Sequence, residues 1–167
     1  MVDREAGVSP VVGVMLLLVI VVILAALVAA FASGAVDVKE AAPSVDLAVY
    51  TMGNVADEDF RLIFEHRGGD LLRVNDLKVN TWVHLPGGDL CPASHAGKEL
   101  EDLFGAEVWR AGEVGNTTNL TATSRFLGVT ESELSDNITQ SAMVDVVVYH
   151  LPSGALLHKS SLLLKER

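Results

Sequence analysis

Histidine, cysteine and clustered acidic side chains are the groups that could bind a metal ion, and their spacing here does not support a site. The chain has five histidines and one cysteine. Cys91 and His95 are four residues apart, but zinc needs three or four ligands and no Cys-x-x-Cys or His-x-x-x-His pair supplies the others. The acidic runs 57–59 and 101–102 lack the ligand pattern of an EF-hand. We expect no metal and no cofactor.

Catalytic motifs are also missing from the sequence. It contains no Gly-x-Ser-x-Gly, no Walker A loop and no dinucleotide-binding glycine pattern. The pair Ser153-Gly154 follows Pro152 and predicts a turn, not a nucleophile. Twelve basic residues against 22 acidic ones give a formal net charge of -10. Because nucleic-acid-binding proteins present a basic surface, this charge argues against nucleic acid as a partner. We expect no enzyme.

Three Asn-x-Thr sequons are the remaining chemical signal. They begin at Asn116, Asn119 and Asn137, in a stretch rich in Thr, Asn and Ser. A glycan is bulky and polar, so its acceptor must lie on an exposed loop. These three asparagines are therefore candidate N-glycosylation sites if the domain is outside the cell. The single Cys91 excludes an intrachain disulfide, so cysteine pairing does not indicate the compartment.

One long apolar segment precedes all of these residues. No charged residue occurs between Glu5 and Asp37, and Val11–Ala32 consists almost entirely of Val, Leu, Ile and Ala. As a helix these 22 residues would reach roughly 33 Å, about the thickness of a bilayer core. The core helix of a soluble protein has a polar face, and this segment has none. The pattern predicts a transmembrane helix.

Small residues in this helix predict close packing against other helices. They form four pairs spaced four residues apart, at 25/29, 26/30, 29/33 and 30/34. Apolar burial alone does not drive helices to associate in lipid, so close packing decides, and such pairs let two helix backbones approach closely. The predicted packing positions are Gly13, Ala25, Ala26, Ala29 and Ala30.

The start of the chain resembles a known family. The run Ala6-Gly7-Val8-Ser9-Pro10-Val11-Val12-Gly13-Val14 is similar to the N-terminus of archaeal type IV pilins, over residues 5–34. The resemblance implies a class III signal peptide over 1–7. A prepilin peptidase would remove it between Gly7 and Val8, or alternatively between Ala6 and Gly7. It also implies that helix 8–34 first anchors the subunit and then packs in a filament core. An assembly ATPase and a membrane platform would be required.

After a linker over 35–44, apolar and polar residues alternate along several segments. This pattern predicts a β-rich domain over 45–167, which is expected to be extracellular. Strands are predicted at 45–50, 60–67 and 77–85, with a hairpin at 143–151 and 155–164. Weaker strands are predicted at 106–111 and 125–129, and Thr130-x-x-Glu133 predicts a capped helix over 131–137. Trp82 is expected on a polar strand face and Trp109 in the core. The fold class is α+β: a long N-terminal helix and a mostly β domain, expected to be a two-layer Ig-like sandwich.

These observations favour a structural subunit of an archaeal cell-surface filament. It would assemble with copies of itself through the helix and serve adhesion, with its C-terminal domain outside a single membrane span. A non-polymerising, membrane-anchored binding module is the alternative. An anchored enzyme is a third hypothesis, which the missing catalytic motifs disfavour.

Overall fold

The structure is a computed structural model that describes residues 10–33, 40–85 and 87–166. The chain divides into an N-terminal unit, which holds one helix, and a unit formed by the rest of the chain. The helix, α1, spans Pro10–Ala32. Pro10 is tolerated at its start because the first turn needs no N–H from that position. At the other end the Ser33 hydroxyl donates to the carbonyl of Ala30 at 3.0 Å.

The second unit contains nine strands, three α-helices and one 3-10 helix among its described residues. The elements in chain order are β1 Val45–Met52, β2 Arg61–Gly69, β3 Leu72–Arg73, the 3-10 helix Val74–Asp76, β4 Leu77–His84, β5 Leu90–Ala96, α2 Lys98–Phe104, β6 Val108–Trp109, β7 Val114–Asn116, α3 Leu120–Leu127, α4 Glu131–Thr139, β8 Met143–His150 and β9 Ala155–Leu163. The strands form three antiparallel sheets, with orders β1-β2-β7, β3-β6 and β5-β4-β8-β9.

Alternating burial along the strands builds the core. On β4 the side chains of Leu77, Val79, Thr81 and Val83 are fully buried, while the three residues between them are half-buried. Strand β8 is buried on both faces around Val146, Val147 and Val148, as its continuous apolar run predicts. The predicted terminal hairpin is confirmed, with β8 paired to β9.

Helix α3 corrects the prediction of a strand over 125–129. Residues up to Leu127 are helical, and the helix is defined by its ends. The Asn119 side chain accepts a hydrogen bond from the Ala122 N–H at 2.8 Å. Gly128 ends the helix at φ 71°, a conformation that favours glycine. The three apolar residues Phe126, Leu127 and Val129 were too few to separate helix from strand by the period of their spacing.

Helix α4 confirms the predicted capped helix and extends it to Thr139. Thr130 Oγ1 accepts from the Glu133 N–H at 3.2 Å, and Glu133 Oε2 accepts from the Thr130 N–H at 2.8 Å. These reciprocal bonds are a capping box. The hydrogen bonds from Thr130 hold the pKa of the Glu133 carboxyl below its usual value.

Aromatic side chains connect the helices to the sheets. Phe64 of β2 contacts two rings edge-on, with centroids 6.0 Å and 5.7 Å away. Further contacts extend this to a continuous column of six rings, in the order His95, Phe126, Phe64, Phe104, Trp109 and His66. Trp109 is therefore a core residue, as predicted.

The predicted α+β class is confirmed, and several details differ. The weak strand at 106–111 is reduced to the two residues of β6. Strand β5 and helix α2 were not predicted. The Ig-like sandwich stays a prediction, since the described strands form three sheets and the domain holds three α-helices.

Candidate functional site

Helix α1 is the most unusual surface of the chain. Within the described helix no side chain is buried. Sixteen large apolar side chains, between Val11 and Phe31, are each at least 45% exposed. The 23 residues of the helix are long and apolar enough to cross a membrane. At 1.5 Å per residue they reach about 34 Å. A helix that is apolar on every side needs lipid or other helices around it.

The last turns of α1 have two different faces. At 100° per residue Ala25, Ala26, Ala29 and Ala30 lie within an arc of about 140°, together with Ser33. The hydroxyl of Ser33 is satisfied inside the helix, so this arc offers a smooth surface of small side chains.

Bulky side chains occupy the opposite side of the same turns. Leu24, Leu27, Val28 and Phe31 lie there, and they are 51% to 67% exposed. Gly13 falls at the angle of Phe31, about 170° from the centre of the small arc. The structure thus brings four of the five predicted packing positions together and leaves Gly13 apart. A Cβ added at Gly13 would meet no atom within 4 Å.

The predicted processing site lies outside the described residues. This applies to Gly7 and Val8 and to the alternative bond after Ala6. The linker 35–44 is described from residue 40 onwards. The candidate cleavage therefore stays a prediction from the sequence.

The sequons have three different environments. Asn119 is exposed at the start of α3, where its Oδ1 caps the helix. Asn116 is half-buried at the end of β7, and its Oδ1 accepts from the Thr118 N–H at 2.8 Å. Asn137 is only 2% exposed, on α4, and its Nδ2 has no hydrogen-bond partner among the described residues. The expectation of an exposed loop at Asn137 is therefore wrong, because the amphipathic helix turns that side chain inward.

A cavity of about 470 Å³ lies between α2 and α3, beside β5. His95 Nδ1 is 2.9 Å from Glu99 Oε2, and His95 Nε2 is 2.7 Å from the Phe126 carbonyl oxygen. Each ring nitrogen already faces a protein oxygen within hydrogen-bond distance, so neither is open to a ligand. Among the described residues no group of three His, Cys, Asp or Glu side chains could hold a metal ion.

A second groove of about 530 Å³ lies along β1, β2 and β9. His158 Nε2 and Ser160 Oγ are buried there without a hydrogen-bond partner in the described part of the chain. Burial lowers the pKa of His158, and the nearby Asp46 carboxylate opposes that shift. Sequence reasoning missed both residues, because their inward direction depends on the register of β9.

Comparison with known proteins adds to this geometry. Residues 6–47 match the family model described as archaeal type IV pilin, N-terminal. An uncharacterised protein of Archaeoglobus fulgidus is 46% identical over 76 residues. This alignment covers 45% of the present chain and 51% of the relative, so the match spans about half of each protein.

The predicted resemblance is confirmed for the segment that contains α1. Residues 6–47 are similar to the N-terminal segment of archaeal type IV pilins, which supports a pilin-like subunit with a membrane context. Pilins are structural proteins, and the match brings no sign of an enzyme.

Proposed function

We propose that this chain, with its pilin-type N-terminal segment, is a structural subunit of a cell-surface filament. The helix first anchors it in the membrane by a single span, with the β-rich domain outside. The helix then exchanges lipid neighbours for the helices of other copies. The main supporting observation is that the described α1 buries none of its residues, although every side is apolar.

The exposed helix cannot stay in water. Burying a Val, Leu or Ile side chain gains roughly 1.5–3 kcal/mol, so sixteen of them correspond to on the order of 25 kcal/mol. This exceeds the whole stability of a typical domain, about 5–15 kcal/mol. Lipid and neighbouring helices both provide an apolar surrounding. The choice between them depends on how well helix surfaces fit together.

The two faces of the last turns favour an open assembly. A small-residue face fits the bulky face of another copy better than it fits a second small-residue face. Contacts between two different surfaces are heterologous, and they extend into a fibre whenever the rotation does not close a ring. The proposed contact pairs Ala26 and Ala30 of one helix with bulky side chains such as Phe31 of the next.

A double substitution tests the assembly. Ala26→Leu with Ala30→Leu fills the small-residue face but keeps the helix apolar. We expect it to abolish filaments in the sheared extracellular fraction and to leave the protein in the membrane fraction. The matched control is Val14→Leu with Val21→Leu, which adds bulk at angles between the small-residue face and the bulky face. Filaments that form equally well with both double variants would contradict the proposal and favour the anchored binding module.

Processing belongs to the same proposal. A prepilin peptidase removes residues 1–7, so that the mature chain begins at Val8, and pilus assembly machinery then extracts the helix from the membrane. Mass spectrometry of the N-terminus of sheared filaments tests this. A start at Val8 supports cleavage after Gly7, and a start at Gly7 supports the alternative bond. An intact Met1 contradicts both.

Adhesion is the proposed role of the outer domain. Asn116 and Asn119 remain candidate glycan acceptors. Asn119 is the better candidate, because its side chain is exposed. Cells that lack the chain should attach less to a surface, and the wild-type chain should restore attachment. Unchanged attachment would contradict this role without bearing on filament assembly.

A further inference from the structure

We infer that one face of the four-stranded sheet contacts the acidic surface of a second copy of this chain; this inference rests on the proposed filament. Here the outer face means the side chains of β5, β4, β8 and β9 that point away from the core. The register places alternate residues of the four strands on it: the even-numbered residues of 90–96 and 78–84, the odd-numbered residues of 143–149, and residues 156, 159, 161 and 163.

Exposed apolar side chains lie at one end of the outer face. Leu90, His84, Met143 and Leu163 are register partners on four neighbouring strands. Leu90 is 55% exposed, Met143 43% and Leu163 50%, and the exposed His84 separates Leu90 from the adjacent pair Met143 and Leu163. A sheet face that only meets water carries polar side chains instead. Exposed apolar side chains grouped in this way point to a contact with another protein.

Aromatic side chains continue this surface along the strands. Trp82 is half-buried, and its register partners are Pro92 and Asp145. Two positions further along β8, Val147 also points outward but is only 4% exposed. Trp82 and the half-buried Tyr149 thus extend the apolar surface. Large rigid side chains of this type are enriched at protein interfaces.

Charge identifies which part of a second copy fits. Of the 19 acidic residues between Glu40 and Glu166, only Asp145 lies on the outer face. Lys78 and Lys159 also lie there, so its formal charge is 2 - 1 = +1. The other residues of this range carry 7 basic and 18 acidic side chains, or 7 - 18 = -11. Two outer faces would not attract each other, whereas an outer face and the acidic remainder of another copy are complementary.

The charge of Asp145 is already engaged on its own surface. Its Oδ2 accepts from His84 at 2.8 Å, and its Oδ1 accepts from the Ser161 hydroxyl. The bond from Ser161, followed by that from His84, lowers the pKa of the carboxyl. The single acidic group on the outer face is therefore partly masked from an acidic partner.

The area explains why this contact needs the helix. Four strands of eight residues cover about 19 by 27 Å, or on the order of 500 Å² on each partner. Stable complexes bury about 1,200–2,000 Å² in total, so the outer face alone falls below that range. Tethering by assembled helices raises the local concentration of the next domain and makes such a contact sufficient. Because the two surfaces differ, the contact is heterologous, and it repeats along a fibre whenever the rotation does not close a ring.

Photo-crosslinking in cells that make filaments tests the contact with the full chain. A benzophenone amino acid at Leu163 should give a ladder of covalent multimers at least fivefold stronger than the same probe at Leu163 in a chain with Lys78→Glu and Lys159→Glu, which reverses the charge of the outer face. Mass spectrometry should place the crosslinked partner residue outside the outer face of the second copy. Equal ladders from the two chains, or crosslinks only between two outer faces, would overturn the inference.

Substitution supplies an independent test. Met143→Glu with Leu163→Glu should reduce the sheared filament yield at least tenfold. Leu71→Glu with Leu151→Glu adds the same charge at exposed positions of the acidic remainder. This keeps the charge complementarity with the outer face and should leave the yield within twofold. Equal thermal melting of both variants shows that the domain is folded. If the outer-face variant unfolds, Lys78→Glu with Lys159→Glu replaces it, because those side chains do not form the core.

The outcomes separate this inference from the proposed function. If the wild-type chain never forms filaments, the proposed function fails. If filaments form and both double-Glu variants assemble equally, only the outer-face contact is wrong. If assembly is unchanged but Trp82→Ala abolishes binding of the filaments to insoluble polysaccharide, the outer face binds carbohydrate, which also overturns the inference.

Discussion

Phe64 is the side chain whose replacement should most weaken the packing between β2 and the helices. It is fully buried and lies in the middle of the column of six rings. Its ring contacts Phe104 of α2 at 6.0 Å and 77°, and Phe126 of α3 at 5.7 Å and 71°. One side chain therefore joins a strand to two helices.

The cost of Phe64→Leu follows from these contacts. Two edge-to-face pairs contribute about 0.5–1.5 kcal/mol each beyond their buried area. A residual cavity of roughly 20 Å³ adds about 0.5 kcal/mol at ~24 cal/mol per Å³. We expect the free energy of unfolding to fall by about 2.5 kcal/mol. For a domain of this size that corresponds to a Tm lower by roughly 10 °C. Phe64→Ala should cost about 4 kcal/mol.

Near-UV circular dichroism of the full chain in detergent micelles measures this change during heating. Phe31→Leu is the matched control, because it makes the same chemical change on α1, where the side chain is 64% exposed. It should leave the melting of the domain unchanged. The reasoning is refuted if Phe64→Leu melts within 2 °C of the wild type, or if Phe31→Leu lowers Tm equally.

Further predictions concern pH and glycosylation. Hydrogen bonding, chiefly from Ser161, lowers the pKa of Asp145 from its usual 3.8. The stabilisation that the Asp145 carboxylate provides is therefore present above pH 3.8 and is lost as pH falls through the lower folded pKa. Asp145→Asn should make the free energy of unfolding depend less steeply on pH below 3.8. Burial lowers the pKa of His158 from 6.5, so the unfolded chain binds the proton first and stability falls as pH drops below 6.5; denaturant titrations should show a smaller fall for His158→Gln. In intact-mass spectra Asn119→Gln should remove a glycan mass, whereas Asn137→Gln should leave the mass of attached glycan unchanged.

The local sequence pattern was sufficient to predict the long helices and strands. The apolar run over Val11–Ala32 predicted α1 because lipid and packed helices impose a similar requirement on every side of a helix. Alternation predicted β1, β2 and β4, since one buried face repeats every second residue. The capping box at Thr130 predicted α4, because its two hydrogen bonds form within four residues.

The short elements could not be predicted from local sequence patterns. Strand β5 contains Pro92, which is disfavoured inside sheets, and it is tolerated because β5 is an edge strand. The burial of Asn137 could not be predicted either, since a sequon has the same letters on a loop and on a buried helix face. Gly13 and Ala25 lie on different faces of α1, and a list of small residues does not reveal this.

The amino-acid sequence alone determined the apolar helix, the acidic charge and the pilin-type start, because each depends on neighbouring residues or on a simple sum. Only the tertiary structure decided the ring column around Phe64 and the outer face that joins Trp82 to Leu163. Those residues are distant along the chain, and strand register and side-chain packing bring them together.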